Sequence, residues 1–176
     1  MTELTYVERA ARVKLMIFDV DGVLTDGSLH YGADGEALKT FNVYDGLGIK
    51  LLQESGVQTA IISARVSPQV VKRAADLGIG FLHQGGHDKL TPFNALLEKT
   101  GLTAEQVGFI GDDIVDLPIL TRVGFAVAVP GGRKEVLERA HHVTVAQGGR
   151  GAVREVCELL LHAQGTYERV LAQFMV

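Results

Sequence analysis

Three observations predict an α/β fold, a doubly wound parallel sheet. Short β-rich apolar runs alternate with helix-length segments, which is the pattern of βαβ units. Glycines Gly56, Gly78 and Gly101 fall where the intervening helices should end. The first apolar run, Leu15-Met16-Ile17-Phe18, stops at two aspartates, Asp19 and Asp21, beside an Asp21-Gly22 turn, as a buried strand delivering its carboxyl end to a site would.

Taken in order, the first strand is 14–18, and the segment after it breaks the rhythm. Residues 27–44 read as a β-hairpin, with Ser28-Leu29-His30-Tyr31 and 37–41 flanking a turn at Gly32-Ala33-Asp34-Gly35. The hairpin is too short for a separate cap domain, and so small a unit is marginal unless it packs on something, a site or a neighbouring subunit. A helix at 46–54 then leads into strand 57–62. Ser67 before Pro68 offers an N-cap with proline at the first helical position, opening a helix at 68–77. Strand 80–82 follows, and Asp88 is positioned to cap a helix at 89–100. Strand 107–110, helix 117–123, strand 125–128, helix 134–139, strand 142–145 and helix 151–163 complete the alternation. One domain over 1–176 accommodates all of this, with the hairpin as an insert and 165–176 as a C-terminal tail. Tyr167, Val170, Leu171, Phe174 and Met175 give that tail an apolar character that calls for a docking place.

Composition narrows the function classes. Hydrophobic residues are 47% and charged residues 22%, ordinary globular usage. A net charge of −4 without a Lys/Arg block argues against a nucleic-acid or anionic-membrane partner. The longest apolar stretch, 123–129, is far short of a bilayer span. Cys157 is the single cysteine and the first thirteen residues carry no signal-peptide apolar segment, so a cytoplasmic setting is expected. Cys157 lies among Val153, Val156, Leu160 and Leu161 at helical spacing, a core stripe. His141 and His142, adjacent on a strand, point to opposite faces and read as structural. His83 and His87 flank Gly85-Gly86 in the loop before Lys89 and read as ordinary loop histidines, with contact to substrate as the alternative.

Two carboxylates crowded at a strand end cost free energy unless a cation lies between them, and a hard divalent ion such as Mg²⁺ with substrate phosphate oxygens removes that cost. Metal-assisted phosphoryl transfer therefore leads, and the remaining strand ends supply matching chemistry. Strand 57–62 is followed by Ser63-Ala64-Arg65, and strand 107–110 by Gly111-Asp112-Asp113-Ile114-Val115-Asp116. Lys89 opens a helix, where a cation is unfavourable against the macrodipole unless an anion is held nearby. Each residue taken singly also has a plain reading. Asp19 and Asp21 suit a turn, Ser63 a loop hydroxyl, Lys89 and Arg65 a solvated surface, and Asp112-Asp113 a helix cap.

The segment Asp19-Val20-Asp21-Gly22-Val23-Leu24-Thr25-Asp26-Gly27, then Ser63, Lys89 and Gly111-Asp112-Asp113-Ile114-Val115-Asp116-Leu117-Pro118 resemble, in order, the four motifs of the haloacid dehalogenase superfamily of phosphatases. The resemblance runs from Val13 to Gly165, takes in the hairpin and the segment Gly148-Gly149-Arg150-Gly151-Ala152-Val153-Arg154-Glu155, and is strongest to the small capless branch acting on ulosonate phosphates. It implies a Rossmann-like fold and hydrolysis of 3-deoxy-D-manno-octulosonate 8-phosphate in lipopolysaccharide synthesis, a nine-carbon ulosonate 9-phosphate being the alternative. It implies Asp19 as nucleophile and Asp21 as acid and base. It further implies Mg²⁺ held by the Asp19 and Asp112 carboxylates and the Asp21 carbonyl, with Asp113 and Asp116 orienting the metal's waters or Lys89. Ser63 and Lys89 would bind the phosphoryl group, and Arg65 and Arg150 the substrate. Ala64 stands where the family commonly has glycine, a small change of loop. A homotetramer joined through hairpins and C-terminal segments is implied as well. A signalling receiver domain needs a lone phosphoacceptor aspartate at the end of a middle strand, where this chain has Ser63. A non-catalytic subunit on the same fold would lack catalytic groups, and here each is present.

Overall fold

A computed structural model describes residues 4–175, so residues 1–3 and 176 of the expected span lie outside the description. Six parallel strands, β1 (Leu15–Phe18), β4 (Gln58–Ser63), β5 (Phe81–Gln84), β6 (Val107–Gly111), β7 (Phe125–Ala128) and β8 (His142–Val143), form one sheet in the order β5-β4-β1-β6-β7-β8. The chain leaves β1 toward β4 and β5 and later returns to its other side through β6, which makes β1 the point where strand order reverses. In open α/β sheets the crevice at that point, beyond the carboxyl ends, holds the ligand.

Adjacent residues of a strand face opposite layers, and β1 shows this directly. Met16 and Phe18 pack with Ile49 and Leu52 of α2 (Val43–Glu54), Val70 of α3 (Pro68–Leu77) and Val153, Val156 and Leu160 of α7 (Ala152–Ala163). Leu15 and Ile17 pack on the other face with Phe93 and Leu96 of α4 (Leu90–Thr100), Ile119 of α5 (Leu117–Leu120) and Val136 of α6 (Lys134–Leu137). Burial on both faces is why the strands read as continuous apolar runs rather than alternating ones. Among the described residues no helix is long and apolar enough to cross a membrane.

The expected hairpin is present as a separate two-stranded sheet, β2 (His30–Gly32) with β3 (Gly35–Leu38). Its turn falls on the expected residues, with Gly32 paired to Gly35, and the strands run up to it instead of ending at residues 31 and 37. Two short helices escaped the sequence reading. One is α1 (Tyr6–Ala10), closed by a capping box between Thr5 and Glu8. The other, α8 (Tyr167–Ala172), lies within the expected tail, where Val170 is buried and Tyr167 stacks on His162. Part of the tail thus packs on its own fold, leaving Phe174 and Met175 exposed. Helix α2 starts at Val43 rather than residue 46 because the Asn42 side chain accepts from the Tyr44 and Asp45 amides. Asp88 caps α4 as expected, accepting from Leu90 N and Thr91 N. Ser67 does not cap α3 through its side chain; its hydroxyl lies 3.1 Å from Glu36 Oε1 instead. His141 Nδ1 accepts from Ala126 N and His142 stacks on Tyr6, the separate structural environments expected of the pair. Cys157 is fully buried, and burial first of all pushes its thiol far above the ordinary range, which leaves it unreactive.

Candidate active site

Strands β1, β4 and β6 lie side by side, so Asp19, Ser63 and Asp112 emerge at neighbouring carboxyl ends. Together with Asp21, Arg65 and Lys89 they line a cleft of about 190 Å³. His87, in the loop before α4, is also on its wall.

At the floor lies a buried charge cluster. Lys89 Nζ donates to Asp19 Oδ1 and to Asp116 Oδ1, each at 2.6 Å. Lys89 is 1% exposed and Asp116 0%. Burial alone would lower the Lys89 ammonium, but Asp19 and Asp116 outweigh it and raise it above its ordinary value. The anion inferred from a lysine at a helix start is thus a pair of carboxylates. Asp116 Oδ2 accepts from Asp112 N at 2.9 Å and Asp113 N at 3.1 Å, so both of its oxygens are engaged and it steadies the loop that carries Asp112.

Lys89 does not balance the cluster. Desolvation, followed by the charge of Asp116, pushes Asp19 up to about 8, and the same two causes push Asp112 up to about 7. Excess negative charge on hard oxygen donors is what a divalent ion relieves. Oxygens of Asp19, Asp112 and Asp116 lie within 4.8 Å of one another, a spacing one ion can span. With Asp116 committed to Lys89 and two amides, Asp19 and Asp112 are the carboxylates free to ligate. The donor set fits Mg²⁺.

Asp113 stands apart from Lys89. Its Oδ1 accepts from Ile114 N at 2.7 Å, capping the short turn 114–116, and Arg133 lies 4.0 Å away. Asp113 still borders the cleft, whereas Arg150 is outside it, mostly exposed, with Nη2 3.5 Å from Asp26 Oδ2. It borders a neighbouring hollow shared with Gly22, Gln147 and Asp112. Ser63 is buried, and its Oγ accepts from Arg65 N at 3.4 Å.

The glycine-rich segment around Gly148 packs against the loop after β1. A Cβ on Gly148 would lie 1.7 Å from the Gly22 carbonyl oxygen, and Gly149 N donates to Val23 O at 2.8 Å. Gly22 itself has φ +93°, and a Cβ there would meet Asp112 Oδ2 at 2.2 Å. These two glycines let the Asp21 turn, the Asp112 loop and the segment before α7 close on one another.

Sequence reading missed two members of the site. Lys39, just after β3, donates to Asp21 Oδ1, and Glu36 of β3 accepts from Arg65 Nη2 at 2.9 Å. A charged residue on a short hairpin ordinarily faces water, and no spacing marks these two as exceptions.

A model of the haloacid dehalogenase-like hydrolases matches residues 78–155. The 3-deoxy-D-manno-octulosonate 8-phosphate phosphatase KdsC of Escherichia coli K12 is 46% identical over 95% of this chain and 89% of its own length. Among solved structures, the 3-deoxy-D-manno-octulosonate 8-phosphate phosphatase of Yersinia pestis superposes with a TM-score of 0.90 at 47% identity, covering 93% of this chain and 88% of that one. The corresponding phosphatase of Moraxella catarrhalis, in complex with magnesium ion, phosphate ion and KDO, gives 0.93 at 41% identity over 96% and 97%. With relatives this similar along nearly its whole length, the chain belongs to the haloacid dehalogenase-like hydrolases, in the family of the KdsC phosphatases.

Proposed function

We propose that the protein hydrolyses 3-deoxy-D-manno-octulosonate 8-phosphate to the free ulosonate and phosphate, in lipopolysaccharide synthesis, with Asp19 as the nucleophile. The observation that carries this is the Asp19 carboxylate, held through one oxygen by Lys89 on the wall of a cleft that also presents Ser63, Arg65 and Asp112. Asp19 attacks phosphorus, the bond from phosphorus to the sugar oxygen breaks, and that oxygen takes its electron pair and a proton from the Asp21 carboxyl. Asp21 then accepts a proton from the water that attacks the aspartyl-phosphate, and the bond to Asp19 breaks. Ser63 and Lys89 bind the phosphoryl oxygens, where a fixed cation counts most as charge develops. Asp19, Asp112 and the Asp21 carbonyl would hold Mg²⁺, which would supply further positive charge to that group when bound. Asp116 orients Lys89, and Arg65 at the cleft mouth meets the sugar acid.

Phosphate release with Mg²⁺ from the octulosonate 8-phosphate and from a nine-carbon ulosonate 9-phosphate tests the reading. Strong turnover of the first alone is the expected result. Turnover of the second alone keeps the chemistry and moves the enzyme to another pathway, whereas release from neither overturns the proposal.

The assembly we propose is a homotetramer joined through the hairpins. Leu29, Tyr31 and Leu38 of the hairpin region, with Val43, Tyr44 and Leu47 beside it, are exposed, and Phe174 and Met175 add apolar surface at the chain end. Light scattering is expected to give four times the chain mass for the full protein and a change in mass or turnover after removal of 173–176. A monomer mass for the full chain overturns the assembly, and a truncated protein alike in both respects removes the tail from it.

A further inference from the structure

Lys39 is out of place by every local rule. It follows β3 of a hairpin whose Tyr31 and Leu38 are open to solvent, yet its side chain is 1% exposed. Among the described residues the buried lysines are Lys39 and Lys89, and a buried ammonium is tolerated only when paired. Lys39 meets Asp21 Oδ1 on one side and Glu36 Oε1, 3.3 Å away, on the other. Glu36 turns its second oxygen to Arg65 Nη2 at 2.9 Å, and Arg65 Nε stands 3.7 Å from Asp21 Oδ2. The four side chains form a closed ring of alternating charge that joins the loop after β1, the hairpin and the loop after β4. Ser67 Oγ, 3.1 Å from Glu36 Oε1, and Gln69 Nε2, donating to Ala37 O at 3.2 Å, fasten the hairpin to the start of α3.

The two cations of the ring differ in what else they can reach. Arg65 lines the cleft, while Lys39 and Glu36 do not. Lys39 therefore approaches Asp21 from behind, where it holds one oxygen without offering a charge to the phosphoryl group.

We propose that Lys39 is the positioning residue for Asp21: backed by Glu36, it fixes the carboxyl through Oδ1 and leaves Oδ2 to exchange the proton with the leaving oxygen. The hairpin is then a working part of the catalytic site in each protomer, apart from any part it plays in assembly. The inference rests on the phosphatase reading and on Asp21 as its acid and base. In the first step the bond from phosphorus to the sugar oxygen breaks while the Asp21 proton passes to that oxygen. In the second, a water proton passes back to Asp21 as the water oxygen bonds to phosphorus and Asp19 leaves.

The test is the leaving group. An alkyl phosphate such as the octulosonate ester needs a proton on its departing oxygen, and p-nitrophenyl phosphate, whose phenolate departs readily, needs little. With Mg²⁺ present, Lys39→Met is expected to lower kcat about 100-fold on the alkyl ester, the lower range of what a placed acid contributes. The expected loss on the aryl ester is less than about tenfold, with KM nearly unchanged on both, because Glu36 keeps its 2.9 Å bond to Arg65 and the cleft-lining cation stays in place. Lys39→Arg should recover part of the alkyl activity, and Glu36→Gln, which removes the backing charge and also loosens Arg65, should show the same selectivity in kcat at smaller size, with a higher KM for the octulosonate. These two carry the test if Lys39→Met does not fold. Equal losses on both esters, or a change confined to KM, overturn the inference while wild-type turnover leaves the phosphatase reading intact. If the wild type cleaves the aryl ester but not the octulosonate, the substrate reading fails, and glycerol 3-phosphate serves as the alkyl arm. A wild type that cleaves none of these overturns both.

Discussion

Asp19→Asn is expected to lower turnover by roughly four to six orders of magnitude, the scale on which removal of a nucleophile acts in a site that works as a unit. The same substitution is expected to leave the fold as stable as before in metal-free buffer, or more so. Asparagine keeps a carbonyl oxygen for the 2.6 Å bond from Lys89 and cannot take on the negative charge that Asp19 acquires beside Asp116 and Asp112 as pH rises. The sign follows from linkage. Burial, then Asp116, raises the folded Asp19 to about 8, so between about pH 4 and pH 8 the folded state holds a proton that the unfolded chain has released. Wild-type stability relative to the variant is therefore full below that window and falls as pH rises through it. Thermal melts in EDTA at pH 5 and pH 8 read this directly, with the variant gaining on the wild type at the higher pH. Mg²⁺ at about 100 times its dissociation constant should add roughly 2.7 kcal/mol to the wild type and much less to the variant. A variant that unfolds at both pH values would make Asp19 structural, and retained turnover would remove it as nucleophile.

The site was legible where chemistry sits at strand ends. An apolar run, a carboxylate pair and a turn are local features, and the reversal of strand order at β1 gathers Asp19, Ser63 and Asp112 without further instruction. Helix limits followed the sequence where a side chain caps locally, as Asp88 does for α4. They departed from it where a cap was overlooked, as with Asn42, or where a hydroxyl finds a distant partner, as Ser67 does in Glu36. The roles of Asp113 and Asp116 look interchangeable in sequence. Backbone geometry separates them, turning Asp116 inward to Lys89 and Asp113 outward to its own turn. Lys39 was illegible for a related reason: its burial depends on how the hairpin folds over Asp21, and nothing within a few residues of it encodes that.

Lys89→Met is the complementary experiment, because it removes the cation and keeps the carboxylates. Met preserves length and apolar volume, so the packing near Phe109, whose ring centre lies 5.9 Å from Lys89 Nζ, is disturbed little. What remains is buried Asp19 and Asp116 beside half-buried Asp112 without a counter-charge, the situation in which breaking a buried pair costs about 3–5 kcal/mol. Without metal at pH 8 the variant should lose stability on that scale. At pH 5 the loss should shrink, since carboxylates pushed further upward take up protons and give up the charge that caused the conflict. Mg²⁺ should restore part of the stability, as it places positive charge between the Asp19 and Asp112 carboxylates. Turnover should stay at least about 10²–10³-fold below wild type even in saturating Mg²⁺, because the ammonium also serves the transferring phosphoryl oxygens. Denaturant unfolding at the two pH values, with and without Mg²⁺, separates the contributions. A loss independent of pH would assign Lys89 to packing alone, whereas a pH-dependent loss with normal turnover would make its charge structural and leave the phosphoryl group to Ser63 and the metal.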